Sequence, residues 1–177
     1  MSRFKEAASA REIFAQLYDE YLDKVFRYVQ FRVNNVQLAE DLTSTVFEKA
    51  LANFSKYSND KASFSTWIFS IARNLVIDHY RVDRKRQTVP LEKVTNRSSS
   101  TLSPEEELER KDKRERLQVC LAELSQDEQE IIRLKFAAEL NNRQIGKILG
   151  LSESNVGTKL YRALRKMRDS FQGSENG

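Results

Sequence analysis

Apolar side chains recur every three or four positions along most of this chain. Ile13, Phe14, Leu17, Tyr21, Val25 and Val29 share one helical face, which predicts a single amphipathic helix over residues 10–33. Leu38, Leu42, Val46, Ala50 and Phe54, with Ala39 and Phe47 beside them, predict a second helix. Phe64, Trp67, Ile68, Ile71, Ala72, Leu75 and Val76 predict a third, with Ser63 or Ser65 as its N-cap. A polar loop from Ser55 to Lys61 separates the last two. Further on, Leu117, Cys120, Leu121 and Leu124 form another apolar stripe, and a helix over 126–138 has Ile131, Ile132, Leu134 and Phe136 available for packing. No segment alternates with period two, so the pattern predicts an all-α fold.

The pattern breaks once. Residues 87–104 hold both prolines of the chain, Pro90 and Pro104, together with Asn96 and the run Ser98, Ser99, Ser100 and Thr101. That composition predicts a flexible linker over 87–111 between two small helical domains, 9–86 and 112–170. Thirteen of the seventeen aromatics lie between Phe14 and Tyr80, so the two sides differ in composition as well. Eighteen extended residues span about 60 Å, enough to separate two contacts on one DNA by more than a helical turn.

Net charge is only +4, but its distribution is uneven. Ile131 to Arg168 carries nine Lys/Arg against two Asp/Glu, and Arg73 to Arg86 carries five against two. Two basic clusters far apart in sequence point to two contacts with a polyanion; ordinary solvated helix faces are the plainer reading. No apolar run is long enough to cross a bilayer, and the opening MSRFKEAASAREIF lacks the core of a signal peptide, so no stable membrane insertion is expected. A single cysteine, Cys120, fits a reducing cytoplasm, and its place on an apolar stripe predicts a buried thiol.

The most specific local signal runs from Asn142 to Val156. Ile145, Leu149, Leu151 and Val156 are spaced to pack two short helices at a steep angle. Gly146 is small where the second helix must come close, Gly150 suits a left-handed turn, and Ser152 caps the helix that follows. The set predicts a C-terminal helix-turn-helix that binds DNA. On its second helix, Val156, Leu160, Ala163, Leu164 and Met167 are expected to face inward. Ser154, Asn155, Thr158, Lys159 and Arg162 occupy the opposite face, where asparagine and lysine read base edges. Arg162, Arg165 and Lys166 are expected to hold phosphates. A plain amphipathic hairpin would share some of these positions but has no use for all of them.

One histidine, one cysteine, no CxxC and no P-loop leave little from which to build an enzyme, and no cofactor or metal is expected. A helix-turn-helix regulator that acts alone would explain the C-terminal half and leave 9–86 as an oligomerisation or effector module. The aromatic and basic third helix argues against it.

Three blocks make the chain resemble a bacterial RNA polymerase sigma factor of the extracytoplasmic-function (ECF) type. They are LYDEYLDKVF from Leu17 with AEDL from Ala39, FSTWIFSIARNLVIDHYR from Phe64, and LSQDEQEIIRL from Leu124 followed by the helix-turn-helix. The resemblance implies binding to core RNA polymerase and recognition of promoter DNA, melted at the −10 element and double-stranded at −35. It implies that 9–86 acts as sigma region 2 and 112–170 as region 4. The second helix resembles the polymerase-gripping segment, with Asp41, Leu42, Thr45, Val46 and Glu48 as candidate contacts; Ser44 and Thr45 stand where the family often has Gln-Glu. Lys56, Tyr57, Trp67, Arg73, Asn74 and Arg81 are the candidates for holding the opened −10 strand, which needs basic groups and a stacking surface. Core packing is the equal alternative for Trp67, and Asp78 is expected to partner a nearby arginine rather than DNA. Gly157 stands where the family commonly has a lysine. An anti-sigma factor is a common partner in the family.

Overall fold

The computed structural model describes residues 2–86 and 116–175, and side chains at 10–82 and 116–172. The predicted linker lies outside the described residues. Those described form two compact units and contain helices but no strand.

The first unit is built from α1 (Ser2–Val33), α2 (Val36–Asn53) and α3 (Phe64–Arg86). Helix α1 begins earlier than the periodicity predicted. It ends where Asn34 takes a left-handed backbone (φ 50°), a turn asparagine tolerates, and Asn35 then caps α2 by accepting from the Leu38 N–H at 3.0 Å. Val25, Tyr28 and Val29 of α1 are fully buried, as are Ala39, Val46 and Ala50 of α2 and Ile68, Phe69, Ala72 and Val76 of α3. Tyr28 was not on the predicted stripe, and Ile13, which was, is exposed. Helix α2 closes in a 3₁₀ turn (Phe54–Lys56), and the chain re-enters helix at α3 with Ser63, not Ser65, as the cap: the Thr66 N–H donates to Ser63 Oγ. Ser65 is buried.

The second unit is built from α4 (116–122 in its described part), α5 (Gln126–Ile132), α6 (Asn142–Leu149) and α7 (Glu153–Glu175). Leu121, Leu124, Ile132 and Ala163 form a buried cluster against which Leu117, Leu160 and Met167 pack. Leu164 corrects the predicted inward face: at 80° from Val156 around the helix it falls outside this contact and is 39% exposed. Cys120 is buried, with its thiol 3.3 Å from Ser170 Oγ. Both α5 and α6 open with reciprocal capping boxes, Ser125 with Glu128 and Asn141 with Gln144. Helix α5 does not continue regularly to 138; it passes into a π-helical stretch (Arg133–Ala137) that leaves Phe136 exposed, whereas packing was expected.

The turn between α6 and α7 is held tightly. Gly150 adopts φ 70°, and the Leu151 N–H donates to Gly146 O at 2.9 Å. A Cβ on Gly146 would lie 2.5 Å from the Leu151 carbonyl oxygen, whereas one on Gly157 would meet only Asn142 Nδ2 at an ordinary 3.5 Å. Gly146→Ala is therefore expected to cost about 1–3 kcal/mol, because backbone must move. Gly157→Ala is expected to stabilise the unit by up to about 1 kcal/mol by removing a helical glycine. Thermal unfolding should show the two substitutions shifting the midpoint in opposite directions.

Candidate nucleic-acid interface

Two surfaces carry the chemistry, one on each unit. On the first, Trp67, Ile71, Asn74 and Asp78 fall on one stripe of α3 by helical spacing, and Arg81 continues it. Trp67, Ile71, Asn74 and Asp78 face Lys49, Asn53 and Lys56 from the end of α2, enclosing an open groove of about 540 Å³ with Leu75. The Trp67 indole is half-buried. Tyr57 stacks on it at 4.9 Å between centroids, and Phe64 packs at 5.6 Å. The ring is thus packed against Tyr57 and Phe64 and also lines the groove. Tyr57 is fixed in turn by Phe54, stacked at 5.9 Å, and by its hydroxyl donating to Asn59 Oδ1 at 3.0 Å. Burial pushes the Tyr57 phenol above its ordinary value. Arg73 is half-buried and does not line the groove.

Across α2, Asp41 and Glu48 are exposed and Thr45 is half-buried. Leu42 and Val46, expected beside them as contacts, are core residues: Leu42 keeps only 8% of its surface exposed and Val46 none. The Thr45 hydroxyl donates back to the Asp41 carbonyl at 2.9 Å, and Ser44 Oγ lies 3.4 Å from Glu48 Oε1, so both small side chains are engaged within the helix. Beside this face, Tyr18, Leu22, Phe47 and Leu51 line an apolar groove of about 570 Å³ between α1 and α2, rimmed by Asp23, Glu40 and Glu48.

On the second unit, Ser152 Oγ accepts from the Asn155 N–H at 3.2 Å and so starts α7. Ser154, Asn155, Thr158, Arg162 and Arg165 are exposed along it. Tyr161, 69% exposed, sits among them; its periodicity with Ser154, Thr158 and Arg165 was the available signal. Two predicted contacts have other partners. Lys166 Nζ lies 2.9 Å from both carboxylate oxygens of buried Glu128, so it is a tie between α7 and α5 rather than a free phosphate contact. Lys159 Nζ lies 3.2 Å from Asp127 Oδ2.

The family description "Sigma-70 region 2" matches residues 17–86 and "Sigma-70, region 4" matches residues 114–167. The RNA polymerase sigma factor YlaC of Bacillus subtilis is 31% identical over 165 residues, covering 93% of this chain and 95% of its own length. The ECF RNA polymerase sigma factor BldN of Streptomyces coelicolor is 32% identical over 169 residues, covering 94% of this chain and 64% of that protein. The chain belongs to the ECF-type RNA polymerase sigma factors.

Solved structures share the fold of this sigma factor. CnrH, in complex with the cytosolic domain of CnrY, aligns with a TM-score of 0.68 at 20% identity over 94% of this chain and 95% of that one. The sigma factor RpoE of Bartonella quintana, in complex with the anti-sigma factor NepR, aligns at 0.67 and 21% identity over 91% and 98%. The region-2 match ends with α3, so it contains the Trp67 groove and the exposed face of α2. The region-4 match contains α5, α6 and most of α7. Sequence reasoning missed Lys49, Asn53 and Tyr161. The first two become groove residues only because α2 and α3 pack side by side, which no local spacing announces. Among the described residues no helix is long and apolar enough to cross a membrane, and no group of three or more His, Cys, Asp or Glu is placed to hold a metal.

Proposed function

We propose that this sigma factor joins core RNA polymerase through α2 and opens and reads promoters through the two surfaces described. Residues 9–86 act as region 2 and 112–170 as region 4. Asp41, Thr45 and Glu48, with the apolar groove beside them, form the polymerase face. The observation that carries the reading is the α2–α3 groove: one aromatic wall, two amides and two lysines in a single concavity. Trp67 offers a stacking face to an unpaired base, Asn53 and Asn74 can bond its edge, and Lys49, Lys56 and Arg81 neutralise the backbone of the opened strand. Helix α7 enters the −35 major groove with Ser154, Asn155, Thr158, Lys159 and Tyr161 toward base edges; Arg162 and Arg165 sit toward phosphates. Apolar contact from an aromatic ring suits a thymine methyl. The protein acts in the cytoplasm, without catalysing a reaction itself, and an anti-sigma inhibitor is a further partner.

Reconstituted transcription with core polymerase and a random promoter library tests this. Transcripts should depend on the chain and share two sequence blocks; initiation without it would overturn the reading. In the same system Asp41→Arg should weaken retention by core polymerase about tenfold or more, while leaving the thermal unfolding midpoint in place, since Asp41 is exposed. Val46→Ala should do the reverse, costing about 1.5–3 kcal/mol of stability through the loss of two buried γ-methyl groups, with no specific loss of retention.

A further inference from the structure

The first turn of α5 grips α7 at two lysines, and the two grips differ in kind. Glu128 is buried, holds Lys166 through both oxygens and also accepts from the Ser125 N–H at 2.9 Å, so it is fixed. Asp127 is 70% exposed, touches Lys159 through one oxygen at 3.2 Å, and has no other partner among the described residues. A single exposed pair of this kind adds little to stability. It does fix where an ammonium sits. A lysine head has three donors, so Lys159 can keep Asp127 and still offer two N–H groups outward. A lysine on a free four-carbon stem settles on whichever phosphate is nearest, and phosphates carry no sequence information.

We propose that Asp127 is a positioning residue for −35 recognition: it holds the Lys159 ammonium as a base-reading donor and withholds it from the phosphate backbone. The proposal rests on α7 reading the −35 element. It makes α5, outside the helix-turn-helix itself, part of the specificity apparatus. Removing the carboxylate frees Lys159 to serve any sequence. Binding to unrelated DNA then strengthens while binding to the correct element gains nothing.

The test uses holoenzyme assembled with the full chain and two duplexes: one carrying a −35 element selected from a random library, and the same duplex with that element scrambled. Asp127→Asn is expected to lower the affinity ratio between them by about two- to fivefold. It should steepen the salt dependence on the scrambled duplex by about one phosphate contact. Asp127→Glu should restore both, and Asp127→Asn should change neither when Lys159 is already alanine. An unchanged ratio, or the same change with and without Lys159, overturns the proposal. Lys159→Ala separates it from the underlying reading. If that substitution leaves −35 preference intact, Lys159 does not read the element; if it alters preference while Asp127→Asn does not, only the positioning role fails.

Discussion

Trp67→Ala is expected to slow promoter opening by about tenfold to a hundredfold while leaving capture of duplex −35 DNA nearly unchanged. The size follows from stacking. A base laid on an aromatic ring is stabilised by about 1–3 kcal/mol, and each 1.4 kcal/mol is tenfold. The direction follows from the geometry, because the indole faces the α2–α3 groove with Tyr57 stacked behind it. Its removal also strips a contact from Tyr57 and Phe64, so the unit will lose some stability. Trp67→Phe separates the two effects: it keeps an apolar ring against Phe64 and should open promoters better than the alanine variant. Permanganate reactivity of the melted strand measures opening, and thermal unfolding measures the packing loss. A Trp67→Ala protein that opens promoters at the parent rate would assign the indole to packing alone.

Glu128→Gln is expected to destabilise the second unit by about 2 kcal/mol at neutral pH, among the larger effects available to a single polar side chain there. Glu128 closes the capping box from the Ser125 N–H and receives Lys166 at 2.9 Å on each oxygen. Hydrogen bonds to a charged group are worth about 1.5–3 kcal/mol, and a capping interaction about 1. The amide keeps the shape and one acceptor but loses the charge. The pH dependence follows from the same contacts. The Lys166 ammonium, then the Ser125 amide, hold the Glu128 carboxyl below its ordinary value of 4.5. A carboxyl depressed on folding binds protons more readily in the unfolded chain. Its stabilisation is therefore complete above the ordinary value and is lost as pH falls through the lower, folded one. The gap between the parent and Glu128→Gln should be constant near neutrality and close in acid. Hydrogen exchange of the α5 and α7 amides reads it within this unit, whatever the other unit does.

The helices were legible in the sequence because buried positions repeat at 3.6 residues, and Gly146, Gly150 and Ser152 announced the turn because each meets a local backbone requirement. The Ser125–Glu128 box carries the S-x-x-E spacing as well, a local signal that sequence reasoning passed over. What escaped was everything decided by neighbours distant in sequence. Leu42 and Val46 stood both on the apolar stripe of α2 and, by resemblance, among the polymerase contacts; their burial places them in the core. Lys159 and Lys166 both looked like cations free to meet DNA; only the approach of α5, more than thirty residues earlier, gives one an exposed carboxylate, Asp127, and the other a buried one, Glu128. The groove drew Lys49 and Asn53 to Trp67 by helix packing. The π-helical stretch that turns Phe136 outward has no composition signal at all.

Helix α7 keeps its buried and its exposed side chains on opposite sides. Val156 and Ala163 carry the packing with no exposed surface, while Ser154, Thr158, Tyr161 and Arg165 extend away from the unit. Substitutions on sides that share no partners combine nearly additively. A lineage can therefore exchange Thr158 or Tyr161 without first accumulating compensating changes in the core. Under the proposed −35 reading, duplicated copies of such a gene can drift toward different promoters at little cost in folding, so the separation of faces on one helix becomes a route to new regulons.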